Sequence, residues 1–128
     1  NKIVDKLVAI ILVNYNGYRD TVNCVHSILL SEYKNYKIIV VDNASTNNEE
    51  LKKDKFLNEN TDLLFLDKNI GFSGGNNRGI EYAQKLYDPA YYLLLNNDTE
   101  IQDKALGELV ETFERTENCG LVTGKIFY

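Results

Sequence analysis

The sequence predicts an α/β domain with an open, mostly parallel sheet and helices on both faces. Three observations carry this. Aliphatic runs without polar interruption recur along the chain, as expected of strands buried on both faces. Segments with apolar residues at helical spacing lie between them. Each of the first four runs gives way to Asn or Asp.

The elements follow in order. Leu7 to Val13 is the first strand, ending at the loop Asn14-Tyr15-Asn16-Gly17. From about Asp20 to Leu30, Val22, Val25 and Leu29 fall on one helical face. Lys37 to Val41 is the second strand and stops at Asp42-Asn43. Thr46, with Glu49 three positions on, is a capping-box signature, so one helix should open there and carry Leu51, Phe56 and Leu57. Leu63 to Leu66 is the third strand. Gly71 to Gly75 reads as a glycine-rich turn into a helix bearing Ile80, Ala83 and Leu86, which Pro89 stops at Asp88. Tyr91 to Leu95 is the fourth strand, followed by Asn96-Asn97-Asp98-Thr99. Leu106, Leu109, Val110 and Phe113 mark a last helix, and Gly120 to Thr123 begins a fifth strand. Strand and helix alternate with no repeat and no linker, as in a parallel α/β sheet.

The 128 residues suit one domain with one continuous core. A hydrophobic content of 44% and a charged content of 26% are ordinary for a globular protein. Fourteen basic and nineteen acidic residues leave a net charge of -5, which excludes the broad basic surface of a nucleic-acid binder. The longest apolar run is too short to span a bilayer, and the first residues do not resemble a cleavable signal. Cys24 and Cys119 sit in apolar contexts without metal or redox spacing, so both are expected as buried free thiols. That places the protein in the cytoplasm, with the inner membrane face as a further expectation for the full-length protein.

In open α/β sheets, ligands bind beyond the carboxyl ends of the strands. Those positions hold Asn14, Tyr15 and Asn16 after the first strand, and Asp42 and Asn43 after the second. Asp67 and Asn69 follow the third, and Asn96, Asn97 and Asp98 the fourth. Asn and Asp also form turns through their own backbone, which would explain any one of these loops. Four such loops on one edge make a rim of amides and carboxylates suited to a base, a ribose and a cation. The segment Gly71 to Gly79 lacks G-x-G-x-x-G spacing and follows the third strand, which disfavours a dinucleotide site.

Four motifs stand in fixed order: Val13-Asn14-Tyr15-Asn16-Gly17, Val41-Asp42-Asn43-Ala44-Ser45, Asn69 through Gly79, and Leu94-Leu95-Asn96-Asn97-Asp98-Thr99. With them the chain resembles the family 2 glycosyltransferases, and more nearly their rhamnosyltransferase-like members. The resemblance implies a Rossmann-like GT-A fold, truncated here on its C-terminal side. It also implies inverting, metal-dependent transfer of a sugar from a UDP- or dTDP-sugar to a hydroxyl of a saccharide or lipid-linked acceptor.

Residue by residue, Asp98 matches the last acid of the family's Asp-x-Asp motif and would hold Mg2+ or Mn2+. Asn96 replaces the first acid. Asp42 looks like the acid that meets the nucleotide, and Tyr15, between Asn14 and Asn16, could lie against the base. Gly74 and Gly75 would let the backbone approach the nucleotide near a helix N-terminus that favours a diphosphate. Asn43, Asn77, Arg78 and Asn97 complete the expected donor contacts, Arg78 with a solvated position as its alternative. Asn76 stands where many relatives carry arginine.

On this reading residues 1–128 are a partial domain. The catalytic base and the acceptor-binding part are expected beyond Tyr128, and this part alone should bind nucleotide and turn over poorly. Two alternatives stand beside it: a nucleotidyltransferase, which would carry a basic glycine-rich loop where Asn14 to Asp20 stand, and a non-catalytic nucleotide-sugar-binding or interaction domain.

Overall fold

The computed structural model describes residues 6–46 and 48–115, and the backbone of 121–123. The elements are β1 (Val8–Asn14), α1 (Tyr18–Leu29), β2 (Tyr36–Asp42), α2 (Glu49–Lys53), α3 (Lys55–Asn60), β3 (Asp62–Phe65), α4 (Gly71–Tyr87), β4 (Tyr91–Asn96), α5 (Ala105–Glu114) and β5 (Leu121–Thr123). The sheet order is β3-β2-β1-β4-β5, and every pairing is parallel. The chain winds outward from β1 in one direction and then in the other. The order therefore reverses between β1 and β4, where a crevice opens at the carboxyl edge. Asn14 pairs with Asp42 across β1 and β2, and Val13 with Asn96 across β1 and β4, so three strands end level with one another.

β1 is buried along its whole length, as its unbroken aliphatic sequence requires. Alternate residues feed two cores. Val8, Ile10 and Leu12 pack with Cys24, Val25 and Ile28 of α1, Leu51 and Leu57, and Leu106 and Val110 of α5. Ala9 and Ile11 pack with Ile39, Val41 and Ala83, under α4. One face thus carries α1, α2, α3 and α5, and α4 covers the other.

Two local expectations are corrected. The segment after β2 is two short helices, not one. Asn48 precedes α2 without a side-chain cap, and the Thr46 amide instead donates to Asn16 Oδ1 at 2.9 Å, so the expected capping box does not form. The chain breaks at Asp54, whose carboxylate caps α3 by accepting from Leu57 N at 2.8 Å. Secondly, Gly71 to Gly75 is not a turn before a helix but the start of α4 itself. α4 stops as Pro89 requires, with Asp88 in the left-handed conformation at φ 46°. Cys24 is a buried free thiol, while Cys119 and Gly120 lie outside the described residues. No described helix is long and apolar enough to cross a membrane.

Candidate functional site

The strand-end residues separate into a buried floor and an exposed rim. The floor is a hydrogen-bonded network. Asn14 is 1% exposed; its Nδ2 donates to Asp42 Oδ1 at 2.9 Å and to Ser45 Oγ at 3.3 Å, and its Oδ1 accepts from Thr21 Oγ1 at 2.6 Å. Asp42, also 1% exposed, accepts further bonds from Ser45 Oγ at 2.6 Å and Ser45 N at 3.1 Å. A buried carboxylate without such donors would be strongly disfavoured. To close this loop Ala44 adopts a left-handed φ of 60°, which disfavours a residue with a Cβ by roughly 1 to 2 kcal/mol. The Ser45 to Asp42 bonds hold it there.

Asn43 joins the second strand to the start of α4. Its Oδ1 accepts from Ile70 N, and its Nδ2 donates to the Gly71 carbonyl, both at 2.9 Å. Asn97, in the turn after β4, is turned inward as well: its Nδ2 donates to Thr21 Oγ1 at 3.0 Å and lies 3.5 Å from the Gly17 carbonyl. Asn14, Asp42, Asn43 and Asn97, expected to meet a ligand, are thus engaged with the protein itself.

The rim is what solvent reaches. Tyr15 is half exposed, and Asn16, Asn96 and Asp98 are exposed. Asn16 is held at φ 54°, its amide donating to Ser45 Oγ at 2.8 Å. Asn77 and Arg78 are exposed on α4, and Arg78 Nε lies 4.0 Å from Glu81 on the helix surface, so its solvated alternative is what the geometry presents. A cavity of about 230 Å³ lies beside Asn14 and Asn16, lined also by Tyr18, Glu50 and Leu51. That is smaller than typical ligand pockets, so a nucleotide sugar would have to lie across the open strand ends.

The glycines of α4 work differently from expectation. A Cβ at Gly75 would sit 3.0 Å from Val13 Cγ1, and at Gly79 2.6 Å from Ile11 Cγ2. Both let the helix backbone approach the sheet. A Cβ at Gly74 would meet the Ile70 side chain at 2.9 Å. Asn76, between them, is 3% exposed, and its Oδ1 is buried without a hydrogen-bond partner. Sequence reasoning did not single out Thr21 or Ser45 individually. Thr21 lies in no motif and Ser45 only closes the second one, because their roles depend on contacts with Asn14 seven and thirty-one positions away.

Among the described residues no group of three or more His, Cys, Asp or Glu side chains could hold a metal. Asp98 offers one exposed carboxylate. Such a donor set fits Mg2+ or Mn2+ completed by diphosphate oxygens and water, and does not fit a cation caged by protein alone. Charge at Asp98 is felt below it: burial first, then Asp98 and Glu100, pushes the Cys24 thiol up to about 12. Cys24 is therefore inert packing.

Residues 9–127 match the family model described as glycosyl transferase family 2. This chain belongs to that family. Among similar family members, the poly-beta-1,6-N-acetyl-D-glucosamine synthase of Staphylococcus aureus strain COL is 31% identical over 94% of this chain and 29% of its own length. The low-salt glycan biosynthesis hexosyltransferase Agl10 of Haloferax volcanii is 32% identical over 92% of this chain and 36% of its own. The family 2 chain described here thus spans about a third of these relatives. The GT-A fold is matched by the crystal structure of S. aureus TarS 1-349 in complex with UDP-GlcNAc, at a TM-score of 0.69 and 18% identity, covering 84% of this chain and 31% of that one.

Proposed function

We propose that this chain forms the donor-binding part of an inverting, metal-dependent glycosyltransferase acting on a nucleoside diphosphate sugar. One observation carries the proposal: three parallel strands end level at the switch point, and an internally satisfied floor there carries an exposed rim of Tyr15, Asn16, Asn96 and Asp98. The names of the relatives support it, one being a polysaccharide synthase, one a glycan hexosyltransferase and one a protein complexed with UDP-GlcNAc.

In this reading the Tyr15 ring lies against the base and Asn16 and Asn96 bond ribose hydroxyls. Asn14, Asp42, Asn43 and Asn97 hold these groups from beneath, and Gly74, Gly75, Asn77 and Arg78 belong to the helix that borders the diphosphate. Asp98 would hold Mg2+ or Mn2+, which offsets leaving-group charge as the diphosphate departs. An acceptor hydroxyl, on a saccharide or lipid-linked saccharide, attacks the anomeric carbon as its bond to the diphosphate breaks. The hydroxyl proton passes to a base that is not assigned among the described residues. A cytoplasmic site facing the membrane would suit a lipid-linked acceptor.

Calorimetric titration with UDP and dTDP, each with and without Mn2+, tests the proposal. Binding of one nucleotide, tightened by the metal, is expected. No heat with either would sink it.

A further inference from the structure

The floor contains one unbroken line of side chains across the crevice. Asp42 Oδ1 accepts from Asn14 Nδ2 at 2.9 Å, Asn14 Oδ1 accepts from Thr21 Oγ1 at 2.6 Å, and Thr21 Oγ1 accepts from Asn97 Nδ2 at 3.0 Å. The line runs from the end of β2, through the end of β1 and the first turn of α1, to the turn after β4. Asn97 is followed directly by Asp98. The loop at Gly17 leaves room for this: a Cβ there would fall 2.8 Å from Asn97 Nδ2.

Thr21 is the central link and is 0% exposed. A hydroxyl can donate in one direction and accept from the other, which neither an amide oxygen nor an amide nitrogen can do alone. By donating to Asn14 Oδ1, Thr21 also decides which way the Asn14 amide faces. The amide nitrogen must then point at Asp42, the arrangement in which Asp42 receives a donor from Asn14 as well as those from Ser45. Its β-branch restricts χ1 and so fixes the line of the hydroxyl.

We propose that Thr21 is a positioning residue that couples the Asp42 loop to the Asn97–Asp98 turn, so that nucleotide and metal are held by one connected unit. This rests on the donor-site reading above. Thr21 touches neither ligand, and its effect should appear in the coupling between them.

The test is calorimetry of the full chain with UDP or dTDP, whichever the wild type binds, with and without Mn2+. Thr21→Val keeps the shape and removes both bonds; it should reduce the Mn2+ enhancement of nucleotide affinity about fivefold, the scale of one net hydrogen bond. Thr21→Ser, which keeps the hydroxyl, should restore it. Asn97→Ala cuts the same line at its partly exposed end, should reproduce the valine result, and decides the matter alone if Thr21→Val does not fold. Tyr82→Phe, which loses a bond to Asp62 at the opposite strand ends, should leave the enhancement unchanged. Full enhancement in a folded Thr21→Val or Asn97→Ala, or an equal loss in Tyr82→Phe, would overturn the proposal while leaving the donor site standing. A wild type that binds neither nucleotide overturns both.

Discussion

Asn43 clasps the start of α4, accepting from the Ile70 amide and donating to the Gly71 carbonyl, each at 2.9 Å. This one amide satisfies backbone groups on both sides of a junction twenty-seven residues further along the chain. It thereby fixes where the helix beside the crevice begins. Asn43→Ala should destabilise the protein by about 2 kcal/mol, because it leaves two backbone groups without their partner. Chemical denaturation measures this, and amide exchange at Ile70 should quicken. Asn43→Asp should be no milder, since a carboxylate cannot donate to Gly71.

Gly79 marks the closest approach of α4 to the sheet, where a Cβ would meet Ile11 Cγ2 at 2.6 Å and Val41 Cγ2 at 3.1 Å. Both neighbours are fully buried and β-branched, so they have little freedom to turn aside. Gly79→Ala gains helix propensity of about 1 kcal/mol. Overpacking of about 1 to 3 kcal/mol outweighs it. A net loss near 1 kcal/mol is expected in urea denaturation. A more stable variant would refute the packing role.

Asp98→Ala separates the metal role from folding. The carboxylate is exposed and contributes no described hydrogen bond, so the denaturation midpoint should not move. Nucleotide binding should persist, and its enhancement by Mn2+ should vanish. Unchanged metal dependence in the calorimeter would remove Asp98 from the site.

A pH dependence arises at the other strand ends. The hydroxyls of Tyr82 and Tyr87 both donate to Asp62 Oδ2. The bond to Asp62, with burial next, pushes Tyr87 up to about 12 from its ordinary 10.0, and burial, then Asp62, raises Tyr82. The fold therefore favours the protonated phenols. Their contribution is fully present below the unfolded value near pH 10.0, and it is lost as the pH rises toward about 12. Tyr87→Phe should lower stability by about 1 to 2 kcal/mol at neutral pH. It should also flatten the alkaline decline, followed by urea midpoints across that range.

Much of this protein was legible before folding because strands buried on both faces cannot hide their composition. The runs Leu7 to Val13 and Lys37 to Val41 announce a parallel sheet, and the Asn and Asp residues after them stand at its carboxyl edge. The error at Thr46 has a physical cause. A capping box is a local pattern, but the Thr46 amide found its partner in Asn16, thirty residues away, which no local pattern encodes.

By itself the sequence determined the alternation of strand and helix and the recurrence of Asn and Asp at the strand ends, since each follows from short-range periodicity or residue type. Tertiary structure alone decided which Asn and Asp residues face solvent and which lock the floor. Exposure and hydrogen-bond pairing depend on which loops meet across the switch point. Asn14 and Asn16 are near neighbours in sequence, yet one lies buried against Thr21 and Asp42 and the other stands on the rim.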